Sequence, residues 1–144
     1  MNQRLEKEEI SEELLDSLKQ KSLEARNLSY NIYSKFAVGC ALLTESGDVF
    51  VGANVENASY PACICAERVA IVQALMKGHK KFRAIVVSSS GEDVVSPCGV
   101  CRQFIFEFGP DTSVYMLGNE GKKTIKYTIS ELLPLGFGPS HLGK

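Results

Sequence analysis

The chain has 144 residues, 44% of them hydrophobic, and a formal net charge of −1 at pH 7, which suits one soluble domain spanning 1–144. The near-neutral charge argues against a nucleic-acid-binding surface, and no apolar run reaches the roughly 18 residues of a membrane span. The polar segment 1–13 lacks the apolar region of a signal peptide, which favours a cytoplasmic or nuclear location.

An amphipathic helix and a hairpin are predicted first. Leucines form a one-sided apolar stripe between Ser11 and Leu28, and Ser11 is a suitable N-cap. The apolar runs 36–43 and 49–53 flank turn-forming residues at 45–48, a combination that predicts two antiparallel strands.

The next predicted helix, 63–77, is apolar around almost its whole circumference. A helix of this kind is buried on all sides. In a chain of this length the sheet can cover one face, and another subunit is the simplest cover for the other. The pattern therefore predicts an oligomer.

Strands and helices alternate in the second half of the chain. We predict a strand at 82–88, a helix at 98–108, strands at 114–117 and 124–127, and a short helix at 129–133. Ser96 is the expected cap of the second of these elements, with Pro97 in its first turn. The order of elements predicts a three-layer α/β/α domain with a five-stranded mixed sheet, in which strand–helix–strand units favour parallel pairing.

Four of the five cysteines fall in two clusters, Cys63/Cys65 and Cys98/Cys101. Without a secretion signal, this arrangement favours a metal over disulfides. Cys65, Cys98 and Cys101 would give zinc three thiolate ligands and leave its fourth position for water. All three lie at or near predicted helix starts, where unpaired N–H groups stabilise a thiolate.

Glu67 follows Cys65 by two residues, about 200° round the helix axis. We therefore expect it beside the metal, where a carboxylate can move the proton of a metal-activated water. Three thiolates make the site anionic, so we expect Arg68 or Arg102 to hydrogen-bond a ligand sulfur. Two alternatives stay open: both arginines lie on solvated faces, or Cys63 joins a closed four-cysteine site.

The segments CAER at 65–68 and SPCGVCRQ at 96–103 resemble the zinc-dependent cytidine deaminases. The resemblance extends to YSKFAVG at 33–39, GANVENASY at 52–60 and ELLPLGFGP at 131–139, and GPSHL at 138–142 is similar to fungal members. A cysteine as first ligand is typical of the small homotetrameric nucleoside deaminases. The chain departs from the family at Asn31-Ile32 and in the extra thiol of Cys63.

This resemblance implies a cytidine-deaminase-like fold, one zinc per subunit, and hydrolytic deamination of cytidine and deoxycytidine in pyrimidine salvage. Glu67 would act as the proton shuttle and a zinc-bound hydroxide as the nucleophile. The resemblance also implies a homotetramer with shared active sites. The implied substrate-binding residues are Phe36, Asn54, Glu56, Tyr60, Ala66 and Phe137. Asn54 and Glu56 would hold the ribose 3′-hydroxyl, and Phe137 would reach a neighbouring subunit's site.

Other hypotheses compete with this one. A related deaminase would act on another base or on a nucleotide, but Glu56 argues against a phosphate because a carboxylate repels it. A second hypothesis is a non-catalytic, zinc-stabilised interaction module. RNA editing gains no support from the near-neutral charge. We expect a small-molecule nucleoside as partner, no stable nucleic-acid partner and no membrane.

Overall fold

A five-stranded mixed sheet forms the middle layer of the computed structural model, which describes residues 9–144. The strands are β1 (Val38–Thr44), β2 (Val49–Ala53), β3 (Phe82–Ser89), β4 (Ser113–Gly118) and β5 (Lys123–Thr128). They lie in the order β2-β1-β3-β4-β5. β3 and β4 pair in parallel, and the other neighbouring pairs are antiparallel. The predicted mixed sheet is therefore confirmed.

Helices cover both faces of this sheet. They are α1 (Glu12–Ala25), α2 (Ala66–Met76), α3 (Gly99–Phe106) and α4 (Ile129–Leu132). The predicted cap of α1 is correct, since Ser11 Oγ accepts a hydrogen bond from Leu14 N at 3.1 Å. Across residues 9–144, no helix is both long and apolar enough to cross a membrane.

Two predicted helix starts were wrong. α2 begins at Ala66 and not at 63, because Ile64 is held extended by an antiparallel bridge to Val55. α3 begins after Cys98, which is its extended N-cap residue, so Pro97 precedes the helix. The Ser96 hydroxyl does not cap α3 but accepts a hydrogen bond from Arg102.

The sheet divides the core into two clusters. On one face, Leu18 of α1 packs with alternate residues of the central strands, among them Leu43 and Val86. On the other face, Ile71 of α2 and Ile105 of α3 pack with the intervening residues of the same strands. Because side chains alternate across a strand, these two clusters produce the predicted three layers.

Two glycines allow the helices to lie close to the sheet. A Cβ at Gly39 would lie 2.0 Å from the Ser22 carbonyl oxygen of α1, and a Cβ at Gly52 would lie 2.5 Å from the Ala66 carbonyl oxygen of α2. Real Cβ atoms do not approach other atoms this closely. Gly52 therefore sets how near the first turn of α2 comes to β2.

One face of α2 has no cover in a single chain. Ala70, Ile71 and Ala74 are fully buried against the sheet. Val72 is exposed, and 77% of Met76 is accessible on the opposite side. The structure thus leaves open the apolar face for which the sequence predicts a second subunit.

Candidate active site

Three thiols meet where α2 and α3 begin. Cys65 is the N-cap residue of α2, Cys98 is the N-cap residue of α3, and Cys101 lies in the first turn of α3. Their Sγ atoms all lie within 4.8 Å of one another, and Cys65 Sγ and Cys98 Sγ are 3.9 Å apart. Tetrahedral zinc with Zn–S bonds of about 2.3 Å requires sulfurs roughly 3.8 Å apart. The cluster therefore fits one zinc ion.

The extra thiol, Cys63, is not part of this cluster. Its Sγ accepts a hydrogen bond from Asn57 N at 3.3 Å, and the metal-ligating group within residues 9–144 comprises the other three thiols of the two clusters. The four-cysteine alternative is therefore wrong. Cys40, the fifth cysteine, is fully buried in β1.

Arg68 gives the thiol cluster a positive neighbour. Its Nη2 donates to Cys65 Sγ at 3.4 Å. The pKa of Cys65 is lowered to about 5, mainly because Cys101 hydrogen-bonds the sulfur and then because Arg68 does. The same contact with Cys65, together with burial, raises the pKa of Cys101. Arg68 therefore favours the thiolate form of Cys65, which is the form that binds zinc.

Arg102 hydrogen-bonds backbone carbonyl groups and a hydroxyl, and it contacts no ligand sulfur. Its guanidinium donates to Pro97 O at 2.9 Å, to Leu132 O at 2.8 Å and to the Ser96 hydroxyl. Arg102 thus holds the turn before Cys98 against the end of α4. Of the two arginines expected near sulfur, Arg68 occupies that position.

Glu67 lies inside the same site. Glu67 is 3% exposed, and the nearby Cys101 thiol favours the ionised form of its carboxylate. Burial raises the pKa of Glu67 above its ordinary value. A carboxyl group with a raised pKa takes up a proton more readily than an exposed one, which suits general acid–base catalysis. Ala66, beside it, is fully buried.

The side chain of Asn54, which directly follows β2, hydrogen-bonds the segment that leads into β1. Its Oδ1 accepts from Val38 N at 2.8 Å and from Ser29 Oγ at 2.5 Å, and its Nδ2 donates to Phe36 O at 2.9 Å. A primary amide has two N–H donors, so one remains for a ligand.

Glu56 and the tyrosine pair line an open cavity of about 340 Å³, together with Ser34 and Cys63. Tyr33 and Tyr60 contact each other edge to face, with ring centroids 6.2 Å apart. The pKa of Glu56 is lowered, mainly because the Ser34 hydroxyl donates to it, so the carboxylate stays ionised.

The aromatic candidates are all open to solvent, whereas the ligand thiols range from exposed Cys98 through half-buried Cys65 to buried Cys101. Tyr60 is 71% exposed and Phe137 is 56% exposed, and Phe36 is also open to solvent. Phe137 stacks on His141 with ring centroids 5.3 Å apart. Within one chain, Phe137 therefore lies on an open surface.

The sequence analysis did not single out two residues that hold candidate site groups. Ser34 hydrogen-bonds Glu56, and Gln103 Nε2 donates to Phe137 O at 2.8 Å. Gln103 follows Cys101 by two residues, and Ser34 precedes Phe36 by two. Adjacency to a candidate residue was the available signal, but it does not show which backbone or side chain is contacted.

Comparisons with known proteins agree with this geometry. Residues 12–117 match the family model described as "Cytidine and deoxycytidylate deaminase zinc-binding region". A cytidine deaminase from Halalkalibacterium halodurans is 46% identical over 117 residues, 81% of this chain and 88% of the relative. A probable cytidine deaminase from Dictyostelium discoideum is 48% identical over 103 residues, 71% of this chain and 69% of the relative.

The crystal structure of cytidine deaminase from Burkholderia pseudomallei has a TM-score of 0.82 to this chain at 39% identity. The match covers 89% of this chain and all of the other. The resemblance seen in the sequence is thus confirmed by family model, relatives and fold together. The chain belongs to the cytidine and deoxycytidylate deaminase family and is a zinc-dependent hydrolytic deaminase.

Proposed function

We propose that this protein deaminates the free nucleosides cytidine and deoxycytidine, giving uridine or deoxyuridine and ammonia. The observation that carries the proposal is the buried carboxyl group of Glu67 beside the three-thiol cluster. A zinc ion held by Cys65, Cys98 and Cys101 supplies a Lewis acid that activates water near neutral pH.

The proton transfers fall to Glu67. Its carboxylate accepts the proton of the attacking water and passes it to the ring nitrogen N3, which makes C4 electrophilic. After attack at C4, Glu67 takes the remaining proton from the hydroxyl added there and donates it to the amine, which leaves as ammonia as the C4 carbonyl forms. Burial supports this role, because it raises the pKa of the carboxyl group above its ordinary value and so helps Glu67 to take up the proton.

Asn54 and Glu56 form the proposed sugar site. Asn54 keeps one free N–H donor, and Glu56 is an ionised acceptor. One sugar hydroxyl can accept from the amide and donate to the carboxylate at the same time. A phosphate in that position would meet the negative charge of Glu56, which favours a nucleoside over a nucleotide. Phe36 is the proposed contact for the sugar and base.

We further propose a homotetramer whose active sites are shared between chains, within one domain spanning 1–144. The open apolar face of α2 and the exposed Tyr60 and Phe137 support this assembly. So does Arg68 Nε, a buried donor without a hydrogen-bond partner among the described residues. Phe137 would stack on the pyrimidine bound by a neighbouring chain. Five free cysteines are typical of a reducing, cytoplasmic location.

An ultraviolet assay of the purified protein tests the function. Cytidine and deoxycytidine should be converted, cytidine monophosphate should be converted far more slowly, and a zinc chelator should remove the activity. Equal rates on the nucleotide would contradict the role given to Glu56. Retained zinc without turnover of either nucleoside would instead favour the interaction-module hypothesis.

A further inference from the structure

Ser34 connects two groups that the proposed function assigns to the substrate. Its hydroxyl donates to Glu56 Oε2 and accepts from the Phe36 backbone N–H at 3.0 Å. We propose that Ser34 is a positioning residue that holds Glu56 and Phe36 in one arrangement and so sets the preference for sugars that carry a 3′-hydroxyl. This inference rests on the proposed function, because it takes Glu56 as the sugar ligand.

A count of donors shows how tightly Glu56 is held. Its Oε1 accepts from Tyr33 N at 3.0 Å and from Ser34 N at 3.1 Å, while Oε2 accepts from the Ser34 hydroxyl. Each carboxylate oxygen has two lone pairs. One acceptor position therefore remains, on Oε2, and the Ser34 hydroxyl determines where it points.

The backbone around Ser34 is shaped for this contact. Lys35 adopts a left-handed conformation, with φ of 60°, and its N–H donates to Asn31 O at 2.9 Å. A residue with a side chain is unfavourable in this region. The hydrogen bonds of Ser34 to Glu56 and Phe36 offset that cost, so the turn and the carboxylate stabilise each other.

The groups around Glu56 lower its pKa, and this makes the KM for deoxycytidine a pH-dependent test of the inference. Of the charged groups, Lys35 faces the carboxylate and favours its ionised form; the Ser34 hydroxyl and the Tyr33 and Ser34 N–H groups do the same. The phenol of Tyr60 lies in the same cavity. Loss of the Ser34 hydroxyl removes the largest cause of the lowered pKa. On acidification, the KM for deoxycytidine should therefore begin to rise at a higher pH in Ser34→Ala than in the native enzyme.

The experiment compares two substrates that differ at one atom. Steady-state kinetics are measured with 2′-deoxycytidine and with 2′,3′-dideoxycytidine, for the native enzyme, Ser34→Ala and Ser34→Thr. We expect Ser34→Ala to raise the KM for deoxycytidine about tenfold, with kcat within about twofold, because a hydrogen bond to a charged group has been lost. The KM for dideoxycytidine, which lacks the hydroxyl but keeps the Phe36 contact, should rise by a clearly smaller factor. Ser34→Thr keeps the hydroxyl and should retain the native preference for deoxycytidine over dideoxycytidine.

Ser90→Ala is the matched control. The Ser90 hydroxyl accepts from Ala37 N at 3.2 Å, so it supports the same segment without touching Glu56. Ser90→Ala should change the KM values for the two substrates by the same factor. If Ser34→Ala folds poorly in a thermal melt, Ser34→Cys keeps the shape with a weaker donor, and it should lose part of the preference.

Two results would overturn the inference, and they differ. An equal loss on both substrates in Ser34→Ala or Ser34→Cys would show that Ser34 only supports the fold. A native enzyme that treats deoxycytidine and dideoxycytidine alike would instead remove the sugar role of Glu56, and the proposal for Ser34 with it.

Discussion

The two sides of the active site differ in how much of each a single chain builds. The metal side is the more enclosed one: Cys101 is fully buried and Glu67 is nearly so, although Cys98 is exposed. These residues lie at helix starts packed on the sheet. The substrate side is open, with Tyr60 and Phe137 largely exposed. In the homotetramer proposed above, one chain would supply the metal ligands and the proton carrier, and a neighbouring chain would complete the walls around the nucleoside.

The largest effect should come from the enclosed side. Glu67→Gln keeps the shape of the side chain but cannot accept a proton, so kcat should fall by about 10²–10⁴-fold while zinc stays bound. Zinc content by metal analysis and turnover by ultraviolet absorbance check this. Glu45→Gln, on an exposed turn, is the control and should be unaffected. A Glu67→Gln enzyme of near-native rate would refute the proton role.

A second substitution on the metal side should lower the affinity for zinc without abolishing zinc binding. Arg68→Gln removes the donor to Cys65 Sγ and its positive charge. Loss of such a contact around a metal ligand typically costs 10–100-fold in metal affinity or activity. Competition with a chelator should show zinc leaving more readily. Arg68→Lys keeps the charge and should lose less zinc affinity. Equal losses in the two variants would show that the geometry of the guanidinium matters and its charge does not.

On the open side, Phe137→Ala should lower kcat/KM for cytidine about tenfold, since stacking on a base contributes about 1–3 kcal/mol. The sharper measurement mixes chains. Assemblies containing both Phe137→Ala and Glu67→Gln chains should be more active per Glu67 than Phe137→Ala alone, because the Glu67→Gln chain supplies the missing ring.

Leu142→Ala, on the same exposed tail, is the control for this mixing experiment. It should leave kcat/KM within about twofold of the native value and gain nothing from mixed assembly. If mixing merely dilutes the activity of Phe137→Ala, the ring acts within its own chain, and the contrast between the two sides fails.

The smallest effect should come from Cys63, which lies in sequence beside the metal side but in space on the open side. Cys63→Ala should retain a full complement of zinc, and its turnover should stay within about twofold of native, because its thiol contacts Asn57 and not the cluster. Cys65→Ala, two residues away, should lose zinc. Zinc lost from Cys63→Ala would place that thiol back among the ligands.

The sequence predicted the enclosed side better than the open one, for a physical reason. Cys65 and Glu67 are two residues apart at the start of α2, so their closeness follows from the sequence spacing, even though Cys65 is the extended N-cap residue and lies outside the helix. The thiol spacing indicated zinc. The contact of Ser34 with Glu56 spans 22 positions and depends on a left-handed residue at Lys35. No periodic pattern encodes such a turn.

The same difference explains the corrections to the helix starts. Ser11 caps α1 as its residue type predicts. Ser96 is an equally suitable cap, but its hydroxyl accepts a hydrogen bond from Arg102 instead. Local propensity is decisive where no long side chain competes for the hydroxyl. Near the site, tertiary contacts of this kind change which residue begins the helix.

Gly52 shows how a residue without a side chain can control a metal centre. A methyl group there would be 2.5 Å from Ala66 O, whereas ordinary contacts begin at 3.4 Å, so the first turn of α2 would have to move. Cys65 would move with it, while Cys98 and Cys101 on α3 would not. In an unbiased collection of inactive variants, position 52 should therefore appear alongside the sulfur ligands, although it contributes no functional group.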